Sequence, residues 1–597
     1  MTLLRASNSP IGLDQGKPIS SSAGPQPWIR PSDWVTFTEP SSSEQKVVGT
    51  VAVFNQDSNY LSINITTTDA SQYTVDWGDG TTNDYNSGVT AEKNYTWSSI
   101  SAGTLTSVGY RQAVVTITPK IAGRTFQNVS LSRQPTAIAT SANTTSPWLD
   151  IAISAPNASS IEFATSSGGT TTGRISPRML ENINLVSYAG TCTYLCYEMT
   201  SLQNFNLRTS AARITANFMF FNCRSLRIAP VLPALTGASS MFNGCAALQY
   251  VPLYNITDPL GFPTTLGSMF SGCSSLETVP LFNTVNITTF SGMFSGCTSL
   301  KSIPNFNFSN AQDFGSMFSN CTSLESFPAV NTGGFLNNTA SMFNGCTSLK
   351  SVGLFNISGF GGSAASMFNG CTALETVPAF NLNNVSSVAS MFAGCTSLQT
   401  VPNLLISTNT INAAQMFQNC RSLREIPEVN LIGITSLSNN DLRLGNATIG
   451  NATTSLGRAS ITNNKFTQSF QNCQMGATEL DEMYTSLATL NPAITNAVGN
   501  GTTVTFTVGT SFIRPFVAGR SITITGVDPV AYNITGTIAS VSNGAGTFTM
   551  TNAATGTYVS GGIASITSDR TITVTGNPGV ASDNPTIATN KGWLVVG

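Results

Sequence analysis

This chain of 597 residues contains no histidine. That excludes Ser-His-Asp and Cys-His catalysis and every imidazole metal site. Charge is also scarce: Asp, Glu, Lys and Arg make up 9% of the residues, where a soluble domain has about 25%. The polar surface must therefore come from Ser, Thr, Asn and Gly. A net charge of −2 leaves no electrostatic footprint for nucleic acid or an anionic membrane. No apolar run reaches the roughly 18–20 residues that span a bilayer, so no membrane insertion is expected. The opening stretch MTLLRASNSPIGLDQGKPISSSAG has no long apolar core and does not read as a secretory signal. Low charge also accompanies disorder, but 41% hydrophobic residues in clear periodicities argue for a rigid β-rich protein of several domains.

What is present is a repeat. Cys223, Cys245, Cys273, Cys297, Cys321, Cys346, Cys371, Cys395 and Cys420 follow one another at 22, 28, 24, 24, 25, 25, 24 and 25 residues. Around each runs the phrase Met-Phe-x-x-Cys-x-x-Leu-x-x-Val-Pro-x-Phe-Asn. A period near 24 lies in the range where one strand-containing coil stacks on the next, and the recurring Met, Phe, Cys and Leu must be buried by neighbouring coils. The closing amides Asn255, Asn283, Asn307, Asn331, Asn356, Asn381 and Asn430 form a second ladder, expected to bond to the backbone of adjacent coils. One cysteine per coil admits three readings: apolar filler, a disulfide staple or a metal ladder. There is no CxxC pair and no histidine, and thiols one strand spacing apart point the same way, which favours filler. At the start, Cys196 and Met199 keep the frame imperfectly. After Cys473, Leu480, Met483, Tyr484, Leu487 and Leu490 have helical spacing, as a capping helix would.

These copies resemble the BspA-like leucine-rich repeats over about 190–495. The resemblance implies a solenoid with a parallel sheet on one face, in proteins that are often surface or adhesion proteins. Upstream, YTVDWGDGTT (Tyr73–Thr82) resembles the signature hairpin of a PKD-like domain, an immunoglobulin-like sandwich. Tyr73, Val75 and Trp77 share a face, Gly78-Asp79-Gly80 makes the turn, and YRQAVVTITP (Tyr110–Pro119) is the closing strand. Asp76, Asp79 and Asp84 are either turn formers or calcium ligands, and a DxxD turn favours the former. Downstream, RSITITGVDPVAYNITGTIASVSNGAGTFTMT resembles a β module of tailed-phage virion proteins, with Ile534 where the module has Gly. RPSDWVTF (Arg30–Phe37) and the C-terminal segment resemble parts of phage virion proteins as well.

The expected organisation is mostly β and multidomain. It comprises an extended arm (1–45), a PKD-like β-sandwich (46–120), a β-rich connector (121–190) and a leucine-rich-repeat solenoid (191–477). A capping helix (478–497), a small β domain (498–565) inserted in the cap, and a final cap strand segment (566–597) follow. The arm has no core of its own and is read as either a flexible leader or a segment ordered by a neighbouring subunit. Three functions compete. A tailed-phage fibre, spike or capsid-decoration protein, assembled in a host cytoplasm, comes first, attached to other virion proteins through its arm and PKD-like domain. A bacterial surface adhesin or filament subunit is the alternative. An enzyme needs two converging carboxylates, and only Glu479, Asp481 and Glu482 cluster, so none is expected. No cofactor is called for. A recognition face for host glycan or protein would use exposed repeat positions such as Lys301, Ser302, Glu325, Ser326, Glu375 and Thr376, which could equally only keep a sheet soluble. A homo-oligomer or larger assembly is expected.

Overall fold

The computed structural model describes residues 26–597, apart from 57, 132, 137–145, 164–176, 257–263, 334–335, 358–361, 383–384, 403–404, 407–414, 424, 427–441, 444–457, 460–467, 470–479, 482–483, 485–492, 509–517, 543–544, 567–570, 574–579, 592 and 597. The described chain is mostly β, with almost no helix, and divides into two compact units, 1–324 and 325–597.

The first unit begins with two sheets. The strands are β1 (Lys46–Val53), β2 (Tyr60–Thr67), β3 (Tyr73–Asp76), β4 (Thr82–Tyr85), β5 (Thr90–Asn94), β6 (Arg111–Pro119), β7 (Phe126–Ser130), β8 (Trp148–Ala155), β9 (Ser160–Glu162), β10 (Asn182–Tyr188) and β11 (Asn204–Leu207). One sheet has the order β11-β10-β8-β1-β6-β3-β4, the other β5-β2-β7-β9. Trp148 Nε1 donates to Leu131 O at 3.1 Å and Tyr95 OH to Trp77 O at 2.9 Å, tying the sheets together. Alternation in β3 buries Tyr73, Val75 and Trp77 completely, because successive strand residues point to opposite faces. Pairing does not stop at residue 120: β7 and β8 join both sheets, and β8, β10 and β11 pair in parallel. The antiparallel sheet therefore passes into parallel strands through β8 and β10, within the stretch expected as a β-rich connector.

The described part of the arm is seated on its own chain. Trp28, Trp34 and Phe37 pack on one face of the seven-stranded sheet, over Ala52, Leu149, Val48, Ala152 and Val186. Trp34 Nε1 donates to Tyr110 OH at 3.0 Å, and Arg30 pairs with the buried Asp150 at 2.9 Å. Asp150 also accepts from Asn182, which accepts from Asn204, each at 2.7 Å. Glu181 accepts from Trp28 Nε1 and Gln203 Nε2, and burial pushes its carboxyl up to about 7. The arm is thus ordered by apolar cover and charge-assisted bonds on its own chain.

In the second unit, short parallel pairings continue to Gln468–Ser469, which pairs with Thr571–Thr573, which pairs with Leu594–Val596. A six-stranded antiparallel sheet spanning Asn496–Ile566 lies between those partners in sequence. It has its own core around Val504, Phe506, Ile524, Tyr532 and Phe548, so it is an excursion from the parallel order. Ile534 packs against that core, and its carbonyl accepts from Ile524 N at 2.7 Å. Of the expected capping helix, Leu480, Asp481 and Tyr484 are helical, and Tyr484 OH donates to Asp583 at 2.6 Å. Met483, Leu487, Leu490, Glu479 and Glu482 lie outside the described residues.

The β3–β4 turn yields a test. Gly78 has φ +71, and a Cβ there would meet Val114 O at 2.4 Å. Gly78→Ala should therefore lower stability by about 1–3 kcal/mol or more, read as a fall in the thermal unfolding midpoint. An unchanged midpoint would contradict this hairpin geometry.

Candidate recognition surface of the repeats

Each repeat is built around two left-handed residues. One precedes Met: Ser240, Ser268, Ser316, Ser341, Ser366 and Ser390 have φ of 53–56°. The other precedes Cys: Gly244, Gly272, Gly296, Gly345, Gly370 and Gly394, with Asn222, Asn320 and Asn419 in the remaining copies. Gly and Asn tolerate this region best, which explains why Gly or Asn stands before cysteine. Between the two, the Phe N–H reaches across to the Met carbonyl of the next repeat, as in Phe242 to Met269, Phe270 to Met293 and Phe368 to Met391, at 2.8–2.9 Å.

That bond fixes the spacing of everything inside. Phe220, Phe242, Phe270, Phe294 and Phe318 stack at 5.4–5.8 Å in the first unit. Phe343, Phe368, Phe392 and Phe417 stack at 5.5 Å in the second. The eleven described cysteines are buried thiols, and Cys473 lies outside the described residues. They do more than fill space. Cys245 Sγ donates to Phe220 O, Cys297 to Phe270 O, Cys321 to Phe294 O, Cys371 to Phe343 O and Cys395 to Phe368 O, all at 3.0 Å. Each of these thiols adds a second donor to a carbonyl of the preceding repeat, which also accepts its own repeat's Cys N–H, as in Cys273 N to Phe270 O at 3.0 Å. Burial pushes Cys297 and Cys395 up to about 12, which leaves them inert as nucleophiles or ligands.

The asparagine ladder is different from the expectation. Asn255, Asn283, Asn307, Asn331, Asn356 and Asn381 are exposed, and Asn430 lies outside the described residues. Asn283, Asn307 and Asn331 each accept from the N–H two residues on, at 3.3, 2.9 and 2.9 Å, closing a turn in their own repeat. The bond to the next repeat is made by the buried residue that follows: Thr284 Oγ1 donates to Asn307 O at 2.7 Å, and Thr332 Oγ1 to Asn356 O at 2.8 Å. The single parallel sheet expected on one face is also reduced. Among the described residues the repeats pair through two-stranded pieces such as Ser326–Phe327 with Ser351–Val352 and Gly362–Ser363 with Val385–Ser387.

Lys301, Ser302, Glu325, Ser326, Glu375 and Thr376 are all exposed, directly after the buried Leu. Unnoticed in the sequence was the alternation at the first of these positions: Glu277 and Lys301 in the first unit, Glu325, Lys350 and Glu375 in the second. Lys301 Nζ lies 2.8 Å from Glu277 Oε2, both about 60% exposed. Lys350 N donates to Glu325 O at 2.9 Å and Glu375 N to Lys350 O at 3.3 Å, so successive repeats bring opposite charges side by side. Spacing from the Leu would have revealed it. Beside these run exposed Tyr250, Leu253 and Leu281 in the first unit and Leu354 in the second. Asp76, Asp79 and Asp84 lie elsewhere, in the β3–β4 hairpin. Asp76 caps Gly78 N, Asp79 caps Thr81 N and pairs with Lys93 at 2.6 Å, and Asp84 pairs with Lys120 at 2.8 Å. The Lys120 bond holds the Asp84 carboxyl below its ordinary range. All three serve the turn.

Residues 177–260 match the family model described as the BspA type leucine-rich repeat region, which has six copies. The repeats within 177–260 are therefore similar to leucine-rich repeats of that type. Residues 236–354 and 329–430 match a second model, described as a Mycoplasma protein of unknown function, DUF285. A leucine-rich repeat protein of known structure from Bacteroides ovatus is similar at 15% identity, over 60% of this chain and 92% of its own, with a TM-score of 0.27. The structure of a TLR13–ssRNA13 complex aligns at 13% identity over 55% of this chain and 63% of its own, with a TM-score of 0.17. Such scores carry no argument about ligands. No curated protein matches the chain.

The thiol ladder sets an alkaline limit. An unfolded thiol ionises near 9, whereas Cys297 and Cys395 stay protonated up to about 12. Folded pKa values raised in this way stabilise the chain fully below pH 9, and that contribution disappears as pH rises toward 12, by about 1.4 kcal/mol per pH unit per thiol. Denaturant midpoints should drop steeply above pH 9, and a Cys297→Ala, Cys395→Ala variant should show a shallower drop. Equal slopes would refute the linkage.

Proposed function

We propose that this chain is a non-enzymatic recognition protein of a bacterial surface, an adhesin or a subunit of an extracellular filament. Its repeats present their exposed positions to a host glycan or protein. The observation that carries the reading is the BspA-type repeat itself, because repeats of this kind occur often in surface and adhesion proteins. The geometry supports it: the repeat interior is spent on packing, while short polar side chains and an alternating Glu/Lys column face outward. Absence of histidine and the commitment of Asp481 to the Asn584 N–H, at 2.6 Å, support a non-enzymatic role.

The virion reading, with a PKD-like domain attaching a fibre or decoration subunit to the particle, draws its support from the flanks alone. The family matches fall within 177–430 and do not touch them. Immunogold labelling with antibody to residues 200–430 separates the two, applied to intact cells and to the cell-free phage fraction of one culture. Gold on intact cells is expected. Gold confined to phage heads or tails would replace the adhesin with a virion subunit.

A further inference from the structure

The first two repeats differ from the later ones at two outward positions. Before the buried Met or its equivalent stand Tyr194 and Phe218, where the third and fourth repeats carry Ser240 and Ser268. Three residues after that position stand Tyr197 and Phe221, where the third repeat carries Asn243. All four rings are half-buried. Tyr194 lies on Phe218 with centroids 4.9 Å apart at 11°, and Tyr197 on Phe221 at 4.8 Å and 5°. The two stacks adjoin, with Phe218 and Phe221 6.1 Å apart.

Each ring of the first repeat covers one face of a ring of the second. The other faces of Phe218 and Phe221 look along the stack toward the third repeat, held in register by Phe218 N to Ser239 O at 3.0 Å and Asn222 N to Asn243 O at 2.7 Å. There Ser240 and Asn243 are too small to continue the stacks. The result is an aromatic shelf bordered by the half-buried Asn243, with Ser240 buried beneath it. Backbone strain weighs against a purely structural role. Tyr194 and Phe218 sit at φ +60 and +55, a region that bulky side chains avoid and that costs about 1–3 kcal/mol. The interior of the first repeat is already closed by Leu195, Cys196, Met199 and Leu202, all buried.

We propose that this shelf binds a neutral hexopyranose unit of a glycan. A pyranose presents a flat face of C–H groups that lies on an aromatic ring, while its equatorial hydroxyls reach sideways. Asn222 and Asn243, both half-buried, add amides in the same turns, and Asn217, whose Oδ1 accepts from Ser239 N at 2.9 Å, stands next to Phe218, the usual combination of aromatic walls and a few placed polar groups. Glu198 and Arg224, exposed one residue after Tyr197 and three after Phe221, are of opposite sign, so the positions next to the rings carry no net charge. The site goes beyond the surface reading, because it would bind sugar wherever the chain is displayed.

The test uses the purified full chain and saturation-transfer NMR with cellotetraose, maltotetraose and tetra-N-acetylchitotetraose as probes. Saturable binding of at least one is expected, with the strongest transfer to ring C–H protons. The variant Phe218→Ser, Phe221→Asn, which installs the residues of the third repeat, should weaken that binding at least about tenfold, while its unfolding midpoint stays within about 2 °C. Val530→Ala, at an exposed position of the C-terminal antiparallel sheet region, should bind as the parent does. Failure of all three sugars at millimolar concentration would overturn the proposal, as would full binding by the double variant. A large fall in the variant's midpoint would overturn it too, by making the rings a structural cap. None of these outcomes depends on where the protein is displayed.

Discussion

The bond from one repeat's Phe N–H to the next repeat's Met carbonyl governs the rest of each repeat array. It fixes a spacing near 5.5 Å, and every side chain then meets its own equivalent. Phe meets Phe as a stacked pair. The thiol of Cys meets the Phe carbonyl one repeat back, the hydroxyl of Thr284 meets the Asn307 carbonyl, and Glu277 meets Lys301. A side chain is acceptable only if it tolerates a copy of itself as a neighbour, or if its neighbour differs. Repeat stability is then a sum of nearest-neighbour terms.

This explains why cysteine stands where another small apolar residue would fit. The Phe carbonyl of each repeat already accepts the Cys N–H of its own turn, as in Cys273 N to Phe270 O at 3.0 Å, and the thiol of the next repeat adds a donor at its second lone pair. Alanine would fill the space and leave that lone pair without its thiol donor. Serine would satisfy it, but adds a hydroxyl whose burial is costly. A thiol is apolar enough to be buried and still donates. Reading the cysteines as filler was correct about burial and missed the donor, because nothing in the linear sequence marks which carbonyl takes one.

Much of the repeat was legible from spacing alone. The cysteine period, the buried Met-Phe-x-x-Cys-x-x-Leu face and the buried alternation of Tyr73, Val75 and Trp77 all follow from periodicity. The left-handed pair was written just as plainly, as Ser or Gly before Met and Gly or Asn before Cys. What could not be read was direction. Asn307 and its equivalents recur as regularly as the core, yet point outward, because a turn needs its Asx acceptor as strictly as a core needs its apolar residue. The seat of residues 28–37 was hidden for a related reason. Residues 28–37 have too few apolar groups for a core of their own, but Trp28, Trp34 and Phe37 suffice to cover a sheet face supplied by residues far along the chain.

The scarcity of charge follows from the same stacking. A charged residue recurring at one position would meet its own copy about 5 Å away, and two like charges at that distance repel by about 1 kcal/mol even in water. Repeated through an array, such a column would cost more than exposed ion pairs return. Two solutions remain: leave outward positions neutral, or alternate the sign. Most positions in this chain take the first, which is why Ser, Thr and Asn dominate its surface. The position after the buried Leu takes the second, with Glu277 beside Lys301 and Lys350 between Glu325 and Glu375. The alternation is therefore required by stacking before any partner is considered. A surface so constrained recognises through shape, hydroxyls and amides, and the departures from its rule, four aromatic rings in the first two repeats, are where stacking alone supplies no reason for the residues found.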